Sequence, residues 1–347
     1  AARLTVADSP AGPALAVLGV GPPMATVRAT LDIGARGTTF TDLSVVSGPY
    51  RLDGVGAMRH DGQRWHANAT LATARIDMTF LRDLAASAHG PTGGWSTTPF
   101  AADPLFAANL DLRLSADRVT IGSQQISQAA LAVITRAGRI EVNLGDGVFE
   151  GGRAKARLAA TRSADGFDVR ASGSLFGSDL GAAMVDAGWP RRVSGLANAE
   201  FEFESNGVSA AELAARLDGR LSAAFRSGEL LGIDLHRLAT RRTGRPEALL
   251  AESLGGGTAF ESATVSTRIA RGLAGPVEGY MQANRLVGTL GGTVDLPGFE
   301  VSLFGSVIQV SSEPAQTDPL PVLDFSIAGP LAAPRTTPNV TNLLKRS

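Results

Sequence analysis

The residues best suited to metal or acid-base chemistry gather in "HDGQRWH", residues 60 to 66, where His60 and His66 flank a turn and Asp61 could complete a three-ligand set. Imidazole nitrogens and carboxylate oxygens are ordinary zinc ligands, but the separation of the two histidines matches no recognised ligand spacing. The segment reads as the exposed polar tip of a hairpin. His89 and His236 fall far away, in loop and helix patterns.

The other candidates for chemistry are weaker. "EFEFE", residues 200 to 204, offers three carboxylates, yet strand alternation puts them all on one solvated face. "SLGGGTAF", residues 253 to 260, is glycine-rich, but a phosphate cradle needs a helix and a lysine behind it. Here strand-like alternation follows with no lysine, so a flexible connection is expected. Neither a Gly-x-Ser-x-Gly elbow nor a His-Glu-x-x-His pair occurs. The absence of cysteine excludes thiol catalysis, disulfides and cysteine metal sites. With 32 basic against 33 acidic residues, no global field favours a nucleic-acid backbone. Arg237, Arg241, Arg242 and Arg245 cluster in "LHRLATRRTGR" and could meet anionic lipid head groups, although a solvated helix end fits the same pattern. The expectation is a protein that is not an enzyme and holds no metal or cofactor.

What the chain does carry is alternation. Leu110, Leu112 and Leu114 fall on one side of a strand, and Asp111, Arg113 and Ser115 on the other. Ile140, Val142 and Leu144 repeat the pattern, as do Phe201 and Phe203, then Val294 and Leu296, Val301 and Leu303, and finally Leu323, Phe325 and Ile327. Turn signals separate these runs at hairpin spacing: "RAGR" at 136 to 139, "GDGVF" at 145 to 149, "SADGF" at 163 to 167 and "LPGF" at 296 to 299. Aromatics are only 5% and glycines number 41, a composition suited to strands and tight turns. Helical signals are few. "SAAELAARL" opens with Ser209 and Glu212 at capping-box spacing, "DLGAAMVDAG" and "IDLHRLATRR" are the second and third candidates, and "FLRDLAAS" is a shorter fourth.

The fold expected is mainly β: a long curled antiparallel sheet forming an apolar groove, with a few short helices between strands. Length allows one large or two ordinary domains. Residues 88 to 104, "AHGPTGGWSTTPFAADP", lose periodicity and fit a domain linker or an ordered crossing loop. The uncharged stretch from Ser9 to Val27 contains Pro10, Pro13, Pro22 and Pro23, which would break a membrane-spanning helix. The proline-rich tail should be extended unless a sheet edge holds it.

From Trp95 onward the order of elements resembles the C-terminal region of the AsmA-like proteins, a bacterial envelope family that includes TamB. The matching pieces are "GWSTTPF", "LDLRLSADRVTIG" and "AALAVITRAGRIEVNLGDGVFEGGRAKARLAA". Closer still are "LDGRLSAAFRSGELLGIDLHRL", "GTAFESATVSTRIARGLA" and "RLVGTLGGTVDLPGFEVSLFGSV", with "FSIAGPLAAPRTTP" near the end. Residues 1 to 94 match only loosely, which gives an N-terminal β region followed by an AsmA-like region over residues 95 to 347.

The resemblance implies a periplasmic protein with an apolar groove, acting in outer-membrane biogenesis and phospholipid movement. It also implies tethering to the inner membrane by an N-terminal anchor, a segment not found in these residues. Phospholipid acyl chains are the expected partners, held by Leu110, Leu112, Leu114, Ile140, Val142, Leu144, Phe201, Phe203, Val294, Leu296, Val301, Leu303, Leu323, Phe325 and Ile327. The other reading is a non-transporting scaffold for outer-membrane assembly proteins, presenting a sheet edge or helix to its partner.

Overall fold

The computed structural model describes residues 2–10, 24–78, 87–90, 94–100, 109–186, 190–240, 246–310 and 320–339. Among them the chain is mainly β, with 18 strands and four short helices. It divides into two compact units, Ala1–Ser174 with Glu204–Leu213, and Leu175–Phe203 with Ala214–Ser347.

The first unit holds β1 (Ala2–Pro10), β2 (Met24–Gly34), β3 (Gly37–Ser47), β4 (Tyr50–His60), β5 (Trp65–Asp77), β6 (Asn109–Ile121), β7 (Gln124–Arg136), β8 (Arg139–Phe149), β9 (Gly152–Ser163) and most of β10 (Gly166–Asp179). Strands β1 to β9 neighbour one another in chain order. Every consecutive pair is antiparallel except β5 and β6, which run parallel. A parallel pair needs a long crossover, and the chain between Asp77 and Asn109 supplies it. Part of that crossover is tied down: Ser96 N–H donates to the Ala88 carbonyl at 2.6 Å and Phe100 N–H to that of Val208 at 2.9 Å.

The second unit contains the helix α1 (Leu180–Asp186), most of β11 (Val193–Gly207), β12 (Asp218–Ile233), α3 (Leu235–Thr240), α4 (Pro246–Ser253), β13 (Leu254–Ala270), β14 (Leu273–Ala283), β15 (Leu286–Asp295), β16 (Glu300–Gln309), β17 (Leu320–Pro330) and β18 (Arg335–Asn339). Strands β12 to β18 form an antiparallel run in chain order. The tail is therefore held at its β18 segment, where Thr336 faces Ile327. Helix α2 (Ala210–Ala215) sits at the capping signal, and Ser209 Oγ accepts from the Glu212 N–H at 3.3 Å. It is shorter than the signal suggested because β12 already begins at Asp218.

The turn signals mostly hold. Arg136 pairs with Arg139 around Ala137 and Gly138, both at positive φ, as a two-residue hairpin requires. "LPGF" closes β15 onto β16, with Asp295 accepting from the Gly298 N–H at 3.1 Å. "GDGVF" does not make a turn. It lies inside β8 as a register irregularity between Leu144 and Val148, and the chain reverses two residues later at Glu150 and Gly151, where φ is 45° and 77°. A glycine pair within a strand loosens the ladder into a bulge.

"SLGGGTAF" is likewise no flexible connection. From Leu254 it is strand β13, paired with β12 through Gly257 to Leu231 and Phe260 to Gly228. The glycines make room: a Cβ on Gly256 would lie 2.8 Å from that of Asp234. Of the helix candidates, "DLGAAMVDAG" is α1 up to Asp186, "IDLHRLATRR" is α3 up to Thr240, and nearly all of "FLRDLAAS" lies outside the described residues. Helix α4 had no prior signal.

Candidate functional site

Each unit separates its side chains into an apolar and a polar face, and the ladders show how far the separation extends. Directly opposed residues on neighbouring strands project to the same face. In the first unit one unbroken row runs over eight strands: Leu31, Phe40, Gly56, Ala69, Leu112, Val133, Val142, Leu158. A second carries Gly54, Leu71, Leu114, Leu131, Leu144 and Ala156, and a third carries Met58, Ala67, Leu110, Thr135, Ile140 and Ala160. Leu112, Leu114 and Val133 retain only 4%, 3% and 5% of their exposure. Between the first and third rows lies a largely polar one on the other face: Asp32, Thr39, Ala57, Asn68, Asp111, Ile134, Glu141.

The second unit repeats the arrangement. One row reads Ala223, Val265, Gly279, Leu290, Gly305, Phe325, and the next reads Phe225, Ala263, Met281, Gly288, Val307, Leu323. Between them, facing the other way, stand Ala224, Thr264, Tyr280, Thr289, Ser306 and Asp324. Val294 opposes Val301, and Leu303 opposes Ile327, on the same face as the apolar rows. Glycines within the rows admit larger neighbours. A Cβ on Gly305 would lie 2.3 Å from the Phe325 ring and 2.6 Å from the Thr289 carbonyl oxygen.

Thus Leu110, Leu112, Leu114, Ile140, Val142 and Leu144 share one face of the first unit. Val294, Val301, Leu303, Leu323, Phe325 and Ile327 share one face of the second. Phe201 and Phe203, half-buried on β11, stack with ring centroids 5.2 Å apart, and the Phe203 ring lies beside Gly219. Leu296 stands apart, because β15 ends at Asp295 and Leu296 belongs to the following turn, its N–H donating to the Gly272 carbonyl at 3.0 Å.

One end of the second unit's apolar face is covered. Leu235, Leu238 and Ala239 of α3 and Leu249 of α4 pack with Phe260, Ala283, Leu286, Val307, Val322 and Leu323. Thr258, fully buried, fixes the approach of α3: its hydroxyl accepts from the Leu235 N–H at 2.9 Å and donates to the Ile233 carbonyl at 2.7 Å. Asp234 caps the same helix by accepting from the Arg237 N–H at 2.8 Å.

The residues with chemical potential form ordinary surface networks. The Asp61 carboxylate closes the hairpin tip, accepting from the N–H groups of Gln63 and Arg64 and pairing with His66 Nε2. These bonds, Arg64 N–H first, hold Asp61 well below the usual carboxylate range. His60 is committed to the Gly62 N–H. No metal-binding group of His, Asp and Glu exists among the described residues. In "EFEFE", Glu202 pairs with Arg220 at 2.6 Å and Glu204 with Arg170 at 3.7 Å. Arg237 donates to the Glu252 carbonyl, and Arg241, Arg242 and Arg245 lie outside the described residues. Glu141 on β8 is held below its ordinary range by the Asn143 amide and then by Arg157 and Arg139, against the opposing effect of burial.

Sequence reasoning found strands by their own alternation but missed the residues that complete each row, such as Val133, Leu131, Leu71, Leu290 and Val265. A register signal was present in "RAGR", since a two-residue turn after Arg136 forces Thr135 onto Ile140 and Val133 onto Val142.

A sheet with one extended apolar face and few helices defines a class of β-rich proteins without a local catalytic signature. The AsmA family model matches residues 67–277, more than half of the chain, and the chain belongs to the AsmA family. The match begins in β5 and ends in β14. No curated protein and no solved structure matches the chain.

Proposed function

We propose that this chain is a lipid-binding or lipid-transfer module of the bacterial cell envelope, holding phospholipid acyl chains along its apolar strand faces without covalent chemistry. The observation that carries this reading is the continuity of the rows. An acyl chain gains about 0.8 kcal/mol per methylene removed from water, and a row running through eight strands offers no polar step along its length. Membership of the AsmA family supports the envelope setting, in the periplasm, with inner-membrane tethering in the full-length protein and a role in outer-membrane biogenesis. No acid, base or nucleophile is assigned, and the protein is read as non-catalytic.

Lipid extraction and mass spectrometry of the protein purified from a bacterial host tests the reading. Stoichiometric phospholipid is expected. Its absence, together with capture of an outer-membrane assembly protein, would replace the reading with that of a scaffold.

A further inference from the structure

A cavity of about 610 Å³ opens in the first unit at the strand ends where β4 turns into β5 and β7 into β8. Its lining draws on two neighbouring polar rows and on Met58, Ala67 and Leu110 of the row between them. The outer row is basic: Arg59 and Arg136 line it, joined by Arg36 from the β2–β3 turn. The inner row presents Asn68 between Asp32 and Asp111. Gly37 keeps the outer row low, since a Cβ there would sit 2.6 Å from the Met58 carbonyl oxygen.

Charge pairing distinguishes the rows. The other polar groups of the outer row are engaged: His66 with Asp61 and Asn109, and Asn109 also with the Ala137 N–H. Asp111 stands 3.9 Å from Arg113. None of the three arginines makes an ion pair or side-chain hydrogen bond among the described residues, so three guanidinium groups without a protein acceptor line one cavity. Arginine presents a planar fork suited to phosphoryl oxygens. Carboxylates and an amide one row further in are acceptors suited to hydroxyl groups.

We propose that this cavity binds a phosphorylated polyol, with its phosphoryl group on Arg36, Arg59 and Arg136 and its hydroxyls on Asn68, Asp32 and Asp111. None of the six residues assigned to the ligand belongs to the apolar rows, so the inference does not rest on acyl-chain binding. The same chemistry comes from two sources, a soluble glycerol phosphate or the phosphoglycerol head group of a lipid.

The test is calorimetric titration of the full chain with sn-glycerol 3-phosphate and with glycerol at low ionic strength, beside flotation with phosphatidylcholine vesicles containing or lacking phosphatidylglycerol. Arg59→Gln/Arg136→Gln is compared with Arg153→Gln, a surface change outside the cavity. Saturable binding of glycerol 3-phosphate but not glycerol is expected, weakened about tenfold or more by the double substitution and by added salt, and unchanged by Arg153→Gln. Phosphatidylglycerol-dependent flotation lost in the double variant would also uphold the site and assign it to a lipid head group; flotation unaffected, with glycerol 3-phosphate binding lost, would assign it to the soluble ligand. The proposal is overturned if neither probe binds the wild type, or if Arg153→Gln weakens binding as much as the double substitution.

Discussion

Leu112 on β6 stands directly opposite Val133 on β7, and both are almost wholly buried. The pair sits within the longest apolar row, so a charge there has no ionic partner in that row and only the buried Thr135 as a polar neighbour on its own face. Leu112→Ala is expected to cost about 2–5 kcal/mol of stability, and Leu112→Asp at least as much. Chemical denaturation monitored by circular dichroism measures both; a change below about 1 kcal/mol for Leu112→Asp would mean that the row is open to water.

Thr258 joins β12 to α3 through one hydroxyl. Thr258→Val keeps the shape but leaves the Leu235 N–H and the Ile233 carbonyl without that partner, at a cost of about 1–3 kcal/mol. Hydrogen exchange should show the Leu235 amide losing protection before those of β15. Unchanged protection would contradict the role given to this contact.

Gly305 and Phe325 are opposed across β16 and β17, with the ring lying over the glycine. Gly305→Ala should displace the ring and destabilise the second unit by about 1–3 kcal/mol. Thermal unfolding checks this, and Ser302→Ala, on the exposed face, serves as the near-neutral comparison.

How much of this was legible beforehand differs by residue. Leu112 and Leu114 announced their side through strict alternation with Arg113 and Ser115, because period two is a local property. The opposition of Leu112 to Val133 is set by the two-residue β6–β7 turn between Ile121 and Gln124, which was not among the turn signals read, and that of Ala69 to Leu112 rests on a parallel pairing across a long crossover, which no local pattern encodes. The glycines of β13 read as a loop because glycine is poor in strands; the nearness of Asp234 and Glu229 explains Gly256 and Gly257, and a φ of 80° explains Gly255. The basic row around Arg59 and Arg136 was not seen at all, since its members come from the ends of two separate strands and from the β2–β3 turn. Family resemblance carried the functional expectation, and residues 67–277 carry the family match.

Acid should weaken the fold through identified groups. Asp61, Asp53 and Glu141 are all held below their ordinary values, Asp61 chiefly by the Arg64 N–H, Asp53 by the Arg51 guanidinium and Glu141 by the Asn143 amide. A depressed carboxylate contributes stability that is fully present above its unfolded value, near about 4. That contribution is lost as pH falls through the folded value. Unfolding midpoints should therefore decline steadily below about pH 4, with a shallower decline in Asp61→Asn. An identical slope in that variant would remove the hairpin tip from the explanation.

The central claim is that acyl chains lie on the apolar face and not on the polar one, and Leu303 and Ser302 are adjacent residues that point to opposite faces. Replacing each in turn with the photo-crosslinking residue p-benzoylphenylalanine, irradiating in the bacterial host and analysing the adducts by mass spectrometry reads that difference directly. Phospholipid adducts at Leu303 and none at Ser302 are expected. Equal adducts at both positions, or none at Leu303, would contradict the account.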